Sequence, residues 1–192
     1  MCNPPASHPT MTEDELIEHL QTTPPACISG FSPLPTQLDK PFDDNPTSVW
    51  QLRCGCGGER GYFLGHSLSK WVEQKQGELD IFVGPLAIEC SACDRVTELL
   101  DTEIHGYHAD LAQREGEIDS SKYRGEGPRQ RYACPGCGGE EFTTKAGFVF
   151  WYPDELLEEF SERYEDLFNV FLCHCTCTGC GKPSEPTQFG KL

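Results

Sequence analysis

Four closely spaced cysteine pairs constrain this chain more than any other feature: Cys54/Cys56, Cys90/Cys93, Cys134/Cys137 and Cys177/Cys180. In order they form two sets of four thiols, each set two short clips separated by a few tens of residues. A tetrahedral structural metal ion takes four sulfurs presented in this way. The spacing therefore predicts two centres, each with four protein ligands. A catalytic zinc keeps one position open, and four sulfurs close it.

Length and composition agree with metal-stapled units. The chain has 192 residues with 19 Gly and 15 Pro, a loop-rich balance. Units of about 60 residues bury too little surface to be stable without a staple. Twelve cysteines also suit a secreted disulfide scaffold. However, Met1 to Thr10 has no basic residue and no apolar run, so no signal peptide is expected. No stretch reaches the roughly 20 apolar residues of a membrane span. Reduced, metal-held thiols in the cytoplasm are the expectation.

The formal charge is −16, from 31 acidic and 15 basic residues. Two four-thiolate sites would carry it to about −20 once loaded. Such a body repels phosphate backbones and suits a basic partner. Nucleic acid has one foothold, the connector residues Lys122, Tyr123, Arg124, Arg129, Arg131 and Tyr132, where basic and aromatic side chains interleave.

Residues 1–47 form a Pro-rich acidic arm with one expected helix. Thr12 and Glu15 make a capping box, and Leu16, Ile17 and Leu20 follow at helical spacing. Ser32-Pro33-Leu34-Pro35 reads as extended linker. Strands are expected at Val49–Leu52, Gly61–Leu64, Leu79–Val83 continuing through Leu86–Ile88, and Val96–Leu100, with a helical turn at Trp71–Gln76. In the second half Arg131–Ala133 leads into a clip and Phe142–Thr144 leads out. Pro153 opens a helix with Leu156, Leu157, Phe160, Tyr164, Leu167 and Phe168 on its apolar face, and Phe171–Cys177 is a strand.

The halves also share a string. Cys56-Gly57-Gly58-Glu59 recurs as Cys137-Gly138-Gly139-Glu140, and the next clip follows 34 residues after Cys56 and 40 after Cys137. This is a duplication signal. The predicted fold class is a small metal-stapled α+β protein: two tandem zinc-ribbon-like β-hairpin modules, 48–110 and 128–192, joined by a polar connector at 111–127, with a few short helices.

The string Cys134-Pro135-Gly136-Cys137-Gly138, with Cys177-Thr178-Gly179-Cys180-Gly181, resembles the paired knuckles of zinc-ribbon and rubredoxin-like proteins. The resemblance covers the clips and their flanking strands. It implies a β-hairpin fold around a four-thiolate metal: zinc, or iron in an electron carrier. The ligands expected are Cys54, Cys56, Cys90 and Cys93 for one ion, and Cys134, Cys137, Cys177 and Cys180 for the second. Cys173 and Cys175 lie on the same strand face as Cys177, but the Cys-x-x-Cys-Gly spacing selects Cys177. The first clip, Cys54-Gly55-Cys56, is one residue shorter than the others.

Enzymatic signals are sparse. His105 and His108, with Glu103 and Asp110, form the one acid–histidine cluster, without a nucleophile or phosphate cradle, and His66 reads as structural. No role is read for Cys2 or Cys27. The sequence thus predicts a structural zinc protein with two zinc ions, acting as an interaction or adaptor module on a protein partner. The alternatives are a nucleic-acid-associated protein working through 122–132, and an iron electron carrier.

Overall fold

The computed structural model describes residues 11–37, 45–67, 82–115, 124–160 and 163–189. Within them the chain is a mostly antiparallel sheet carrying a few short helices. Helix α1 (Glu13–Thr22) begins with the expected capping box: the Thr12 hydroxyl accepts from the Glu15 N–H, and the Glu15 carboxylate accepts from the Thr12 N–H. Leu16 and Leu20 face the core. A 3-10 turn at Ala26–Ile28 follows, and Cys27, Ile28 and Phe31 are also buried. The segment read as linker contains strand β1 (Leu34–Thr36), which pairs with β2 (Thr47–Gln51).

Strands β3 (Arg60–Ser67), β4 (Phe82–Cys90) and β5 (Val96–Leu100) form one antiparallel run. The expected turn at Trp71–Gln76 and the residues 79–81 lie outside the described residues. Helix α2 (Tyr107–Glu115) leads towards β6 (Gln130–Arg131). A second antiparallel run follows, with β7 (Glu141–Phe150), β8 (Phe168–Cys177) and β9 (Pro183–Phe189).

The two runs share one sheet. The N-terminal ends of β3 and β7 pair through Arg60↔Thr143, Gly61↔Phe142 and Tyr62↔Glu141. Each leading strand then crosses to the other half. β2 lies on β7, with Gln51 opposite Lys145 and Trp50 opposite Ala146, while β6 lies on β3, with Arg131 opposite Leu64 and Gln130 opposite Gly65. Counted from Cys54 and Cys134 on the leading strands, and from the shared Cys-Gly-Gly-Glu string on the strands that follow it, these are matching positions. The Leu52 N–H bonds Thr144 O at 2.9 Å, and the Tyr132 N–H bonds Phe63 O at 2.9 Å. The pairings of β2 with β7 and of β6 with β3 are therefore related by an approximate two-fold that passes between Gly61 and Phe142.

The helix expected from Pro153 is shorter than its apolar pattern suggests. Helix α3 spans Pro153–Glu159; Phe160 is extended (φ −129°, ψ 153°), Tyr164–Asp166 is a 3-10 turn, and Phe168 belongs to β8. In a longer helix the acids Asp154, Glu155, Glu158, Glu165 and Asp166 would place like charges at helical neighbour positions and at the negative dipole end, which disfavours its continuation. The turn is then held from α1, where His19 Nε2 meets Glu165 Oε2 at 2.8 Å, and from the Ala26 N–H, which donates to Asp166 Oδ1.

One principal core lies under both runs. Phe63, Phe82, Tyr132 and Phe142 meet at the crossing in edge-to-face and tilted pairs, with ring centroids 5.4–6.4 Å apart. Phe148, Phe168 and Phe171 extend the cluster towards α3. Phe142 is fully buried against both halves. Phe142→Ala is expected to cost about 3–5 kcal/mol, read as a lowered denaturation midpoint of the metal-loaded chain; a loss under about 1 kcal/mol would place the core elsewhere.

Candidate metal centres

The crossing brings the eight sulfurs into two quartets. Cys54, Cys56, Cys90 and Cys93 form one, and Cys134, Cys137, Cys177 and Cys180 the other; within each, all sulfurs lie within 4.8 Å of one another. Cys54 Sγ is 3.6 Å from Cys93 Sγ, and Cys56 Sγ is 3.7 Å from Cys90 Sγ. Cys134–Cys180 and Cys137–Cys177 are 3.7 and 3.6 Å apart. Sulfurs about 2.3 Å from a tetrahedral ion would stand about 3.8 Å apart. A disulfide needs about 2.05 Å, and the described cysteines are free thiols. The residues present thus fit a metal ion of four-thiolate preference.

Each clip is shaped by its backbone. The Cys54 N–H bonds Gly58 O and the Cys134 N–H bonds Gly139 O, both at 2.8 Å. The turns close at Gly57 (φ +89°) and Gly138 (φ +74°), left-handed positions that glycine takes at no steric cost. The second clips match one another as well. The Asp94 N–H returns to Cys90 O and the Gly181 N–H to Cys177 O, both at 2.9 Å, with φ +55° at Asp94 and +71° at Gly181. Asp94 holds a conformation that Asp tolerates better than most residues. The shorter first clip still reaches its quartet because it closes one residue sooner, with Gly57 N–H on Cys54 O where the second site uses Gly138 N–H on Cys134 O.

Electrostatics set the quartets up for a cation. The Gly58 N–H, then Cys93 and Cys54, draw the Cys56 thiol down to about 7. The Gly136 N–H, 3.4 Å from Cys134 Sγ, draws Cys134 to about 7 against burial, helped by the Cys137 N–H. The Arg95 N–H favours the Cys93 thiolate, yet Cys56 and Cys54 across the quartet push it up to about 12. Cys137 is likewise pushed to about 12 by Cys180 and Cys177, despite the Gly139 N–H. Alone, a quartet cannot ionise fully, because each thiolate holds its neighbour protonated.

Two cations missed in the sequence stand at matching places. Arg95 Nη1 lies against Gly55, where a Cβ would be 3.3 Å from it, and the Lys182 side chain lies against Gly136, where a Cβ would be 2.8 Å from its Cδ. Both follow the last cysteine of their site by two residues. That shared offset was the sequence signal. Each places positive charge beside a thiolate cluster.

The surplus thiols sit apart from the two quartets. Cys173 and Cys175 are fully buried on the core face of β8, their sulfurs 3.9 Å apart, while His174 projects the other way to meet Glu185 at 3.1 Å. Cys175 Sγ contacts Thr144 Oγ1 at 3.7 Å, and burial pushes the Cys173 thiol well up. Cys2 lies outside the described residues.

The acid–histidine cluster is distributed among other partners. His105 is half-buried, its Nδ1 accepting the Asp101 N–H at 3.0 Å, and burial lowers its pKa, so the neutral ring carries its proton on Nε2. It borders a cavity of about 140 Å³ with Cys27, Asp110, Asp166 and Phe168. Burial, then Asp166, raises the Cys27 thiol and keeps it protonated. His108 is exposed beside Tyr107, and Glu103 pairs with Arg124. His66 is buried in β3, its pKa lowered by burial, then Arg129 and Arg124.

The described basic residues of the connector are engaged within the chain. Arg124 pairs with Asp101 and Glu103; both Arg129 Nη atoms reach Glu98, at 2.6 and 2.9 Å; and Arg131 meets Glu89 at 2.9 Å while lying 3.8 Å over the Tyr62 ring. Tyr132 is in the core. Lys122 and Tyr123 lie outside the described residues.

No family model, curated protein or solved structure matches this chain. Among the described residues, no helix is long and apolar enough to cross a membrane.

Metal uptake should expel protons, because Cys93 and Cys137 ionise only against a cation. Calorimetric titrations in buffers of different ionisation enthalpy are expected to show proton release, and affinity that rises from about pH 6 to pH 8. Buffer-independent heats and a flat profile would contradict ionisation on binding.

Proposed function

We propose that this chain is a structural zinc protein: two copies of one knuckle unit, each closing four thiolates around a zinc ion, serving as an interaction or adaptor module and not as a catalyst. The carrying observation is the near-tetrahedral spacing of four sulfurs at each centre, which leaves a bound ion no open position for substrate. The matching registers of β2 on β7 and β6 on β3 support the two-copy reading. When bound, the ion would neutralise the thiolates and fix the clips; Cys54, Cys56, Cys90 and Cys93 would hold one, and Cys134, Cys137, Cys177 and Cys180 the other.

Elemental analysis with native mass spectrometry is expected to find two zinc ions per chain. A coloured preparation absorbing in the visible would replace zinc by iron. Chelation should lower thermal stability sharply, since such sites supply on the order of 10 kcal/mol. Unchanged melting after complete extraction would sink the structural role.

A protein partner fits the charge of −16, and a basic one best, in the cytoplasm. Pairing of Arg124, Arg129 and Arg131 with carboxylates leaves those three arginines little free charge for phosphate. Of three candidate docking faces, the acidic surface, the Pro-rich arm and the aromatic helix around Trp151, the last is engaged within the chain, its Trp151 ring 5.5 Å from Tyr107 of α2. Duplex DNA is expected not to bind at physiological salt. A sub-micromolar complex there would restore the nucleic-acid reading.

A further inference from the structure

The two quartets are joined by a continuous row of backbone. Cys90 of β4 is opposite Gly61 of β3, Gly61 is opposite Phe142 of β7, and Phe142 is opposite Cys177 of β8. The row thus runs from a ligand of one centre to a ligand of the other, three strand spacings or about 14 Å. It has no slack at its middle, since a Cβ on Gly61 would lie 2.5 Å from Glu89 O.

Side chains reinforce the row on one residue. Thr178, between the ligands Cys177 and Cys180, donates its N–H to Glu141 O at 3.0 Å and its hydroxyl to Glu141 Oε2 at 2.7 Å. Ser91, between Cys90 and Cys93, holds Arg60 O in the same way, through its N–H at 3.2 Å and its hydroxyl at 3.3 Å. Arg60 Nη1 in turn approaches Glu141 Oε2 to 4.0 Å across the β3–β7 pairing. Glu141 therefore touches the clip of its own site through Thr178 and faces Arg60, the residue that the other clip holds through Ser91.

We propose that the two centres bind metal cooperatively, occupancy of one raising the affinity of the other, with Glu141 as the side-chain link between their clips. This rests on the reading that both quartets hold metal. Closing one clip fixes Ser91 or Thr178, hence the β3–β7 ladder, hence the cradle of the second clip. Ordering paid for once by the first ion is not required of the second. Linkage makes the effect equal in both directions.

The test is a zinc titration of the full-length metal-free chain followed by native mass spectrometry. Equal independent sites give about half the molecules one ion at half-loading, whereas a ten-fold coupling gives about a quarter. The expected result is a one-ion population well under half, rising towards half in Glu141→Ala with two ions still bound at saturation. A second measurement uses single-site variants: Cys93→Ser should weaken zinc binding at the second centre about ten-fold, and Cys180→Ser should weaken the first by the same factor. A one-ion population of half or more in the unaltered chain overturns the coupling. An unchanged low population in Glu141→Ala overturns the role of Glu141. Absence of bound zinc at saturation removes the metal reading itself, a result distinct from two ions bound independently.

Discussion

The pairing of Gly61 with Phe142 is the contact on which the rest depends. It sits where β3 and β7 cross, with a metal clip just upstream on each strand. On one side of the pair the strands run on to the quartets; on the other, each accepts the leading strand of the opposite half. Phe142 gives this point its apolar anchor, and Gly61 lets the β4 backbone approach. A larger residue at 61 would part the strands that position four of the eight sulfurs.

The clips show how a strongly acidic chain can hold more negative charge. Backbone N–H groups of Gly58, Arg95, Gly136 and Gly139 point at sulfurs, and Arg95 and Lys182 stand beside the knuckles. None of these requires a buried ion pair. The N–H groups are fixed by the turn, so their alignment costs nothing further when the thiols ionise.

Much of the site was legible because its signals are local. A clip is a few residues whose spacing and glycine determine where the sulfurs point, and the α1 capping box is equally short-range. The choice of Cys177 over Cys173 and Cys175 also follows from spacing to Cys180. The sheet order was not legible: β2 and β6 have no sequence mark that sends them across to β7 and β3 rather than to their own halves. The segment Ser32–Pro35 looked like linker because its prolines hide a strand that pairs along one edge only. Phe160 to Phe168 kept a helical pattern of apolar residues, while the chain turns extended at Phe160 and delivers Phe168 to β8. Glu141, Ser91 and Thr178 gain meaning only once the two clips are face to face.

The exchange of leading strands also bears on how the chain is made. Gln51 donates to the carbonyl of Thr144, 93 residues further on, and β2 finds its long ladder only on β7. During synthesis the first half therefore leaves the ribosome with its leading strand lacking that neighbour and β3 lacking β6. Its first quartet can gather locally, but the sheet closes only after residue 150 has emerged. Non-local closure of this kind is slow and leaves strand edges open meanwhile. A metal captured early by Cys54, Cys56, Cys90 and Cys93 would hold the first half in register during that interval, and such an ion would serve as a folding template as well as a staple.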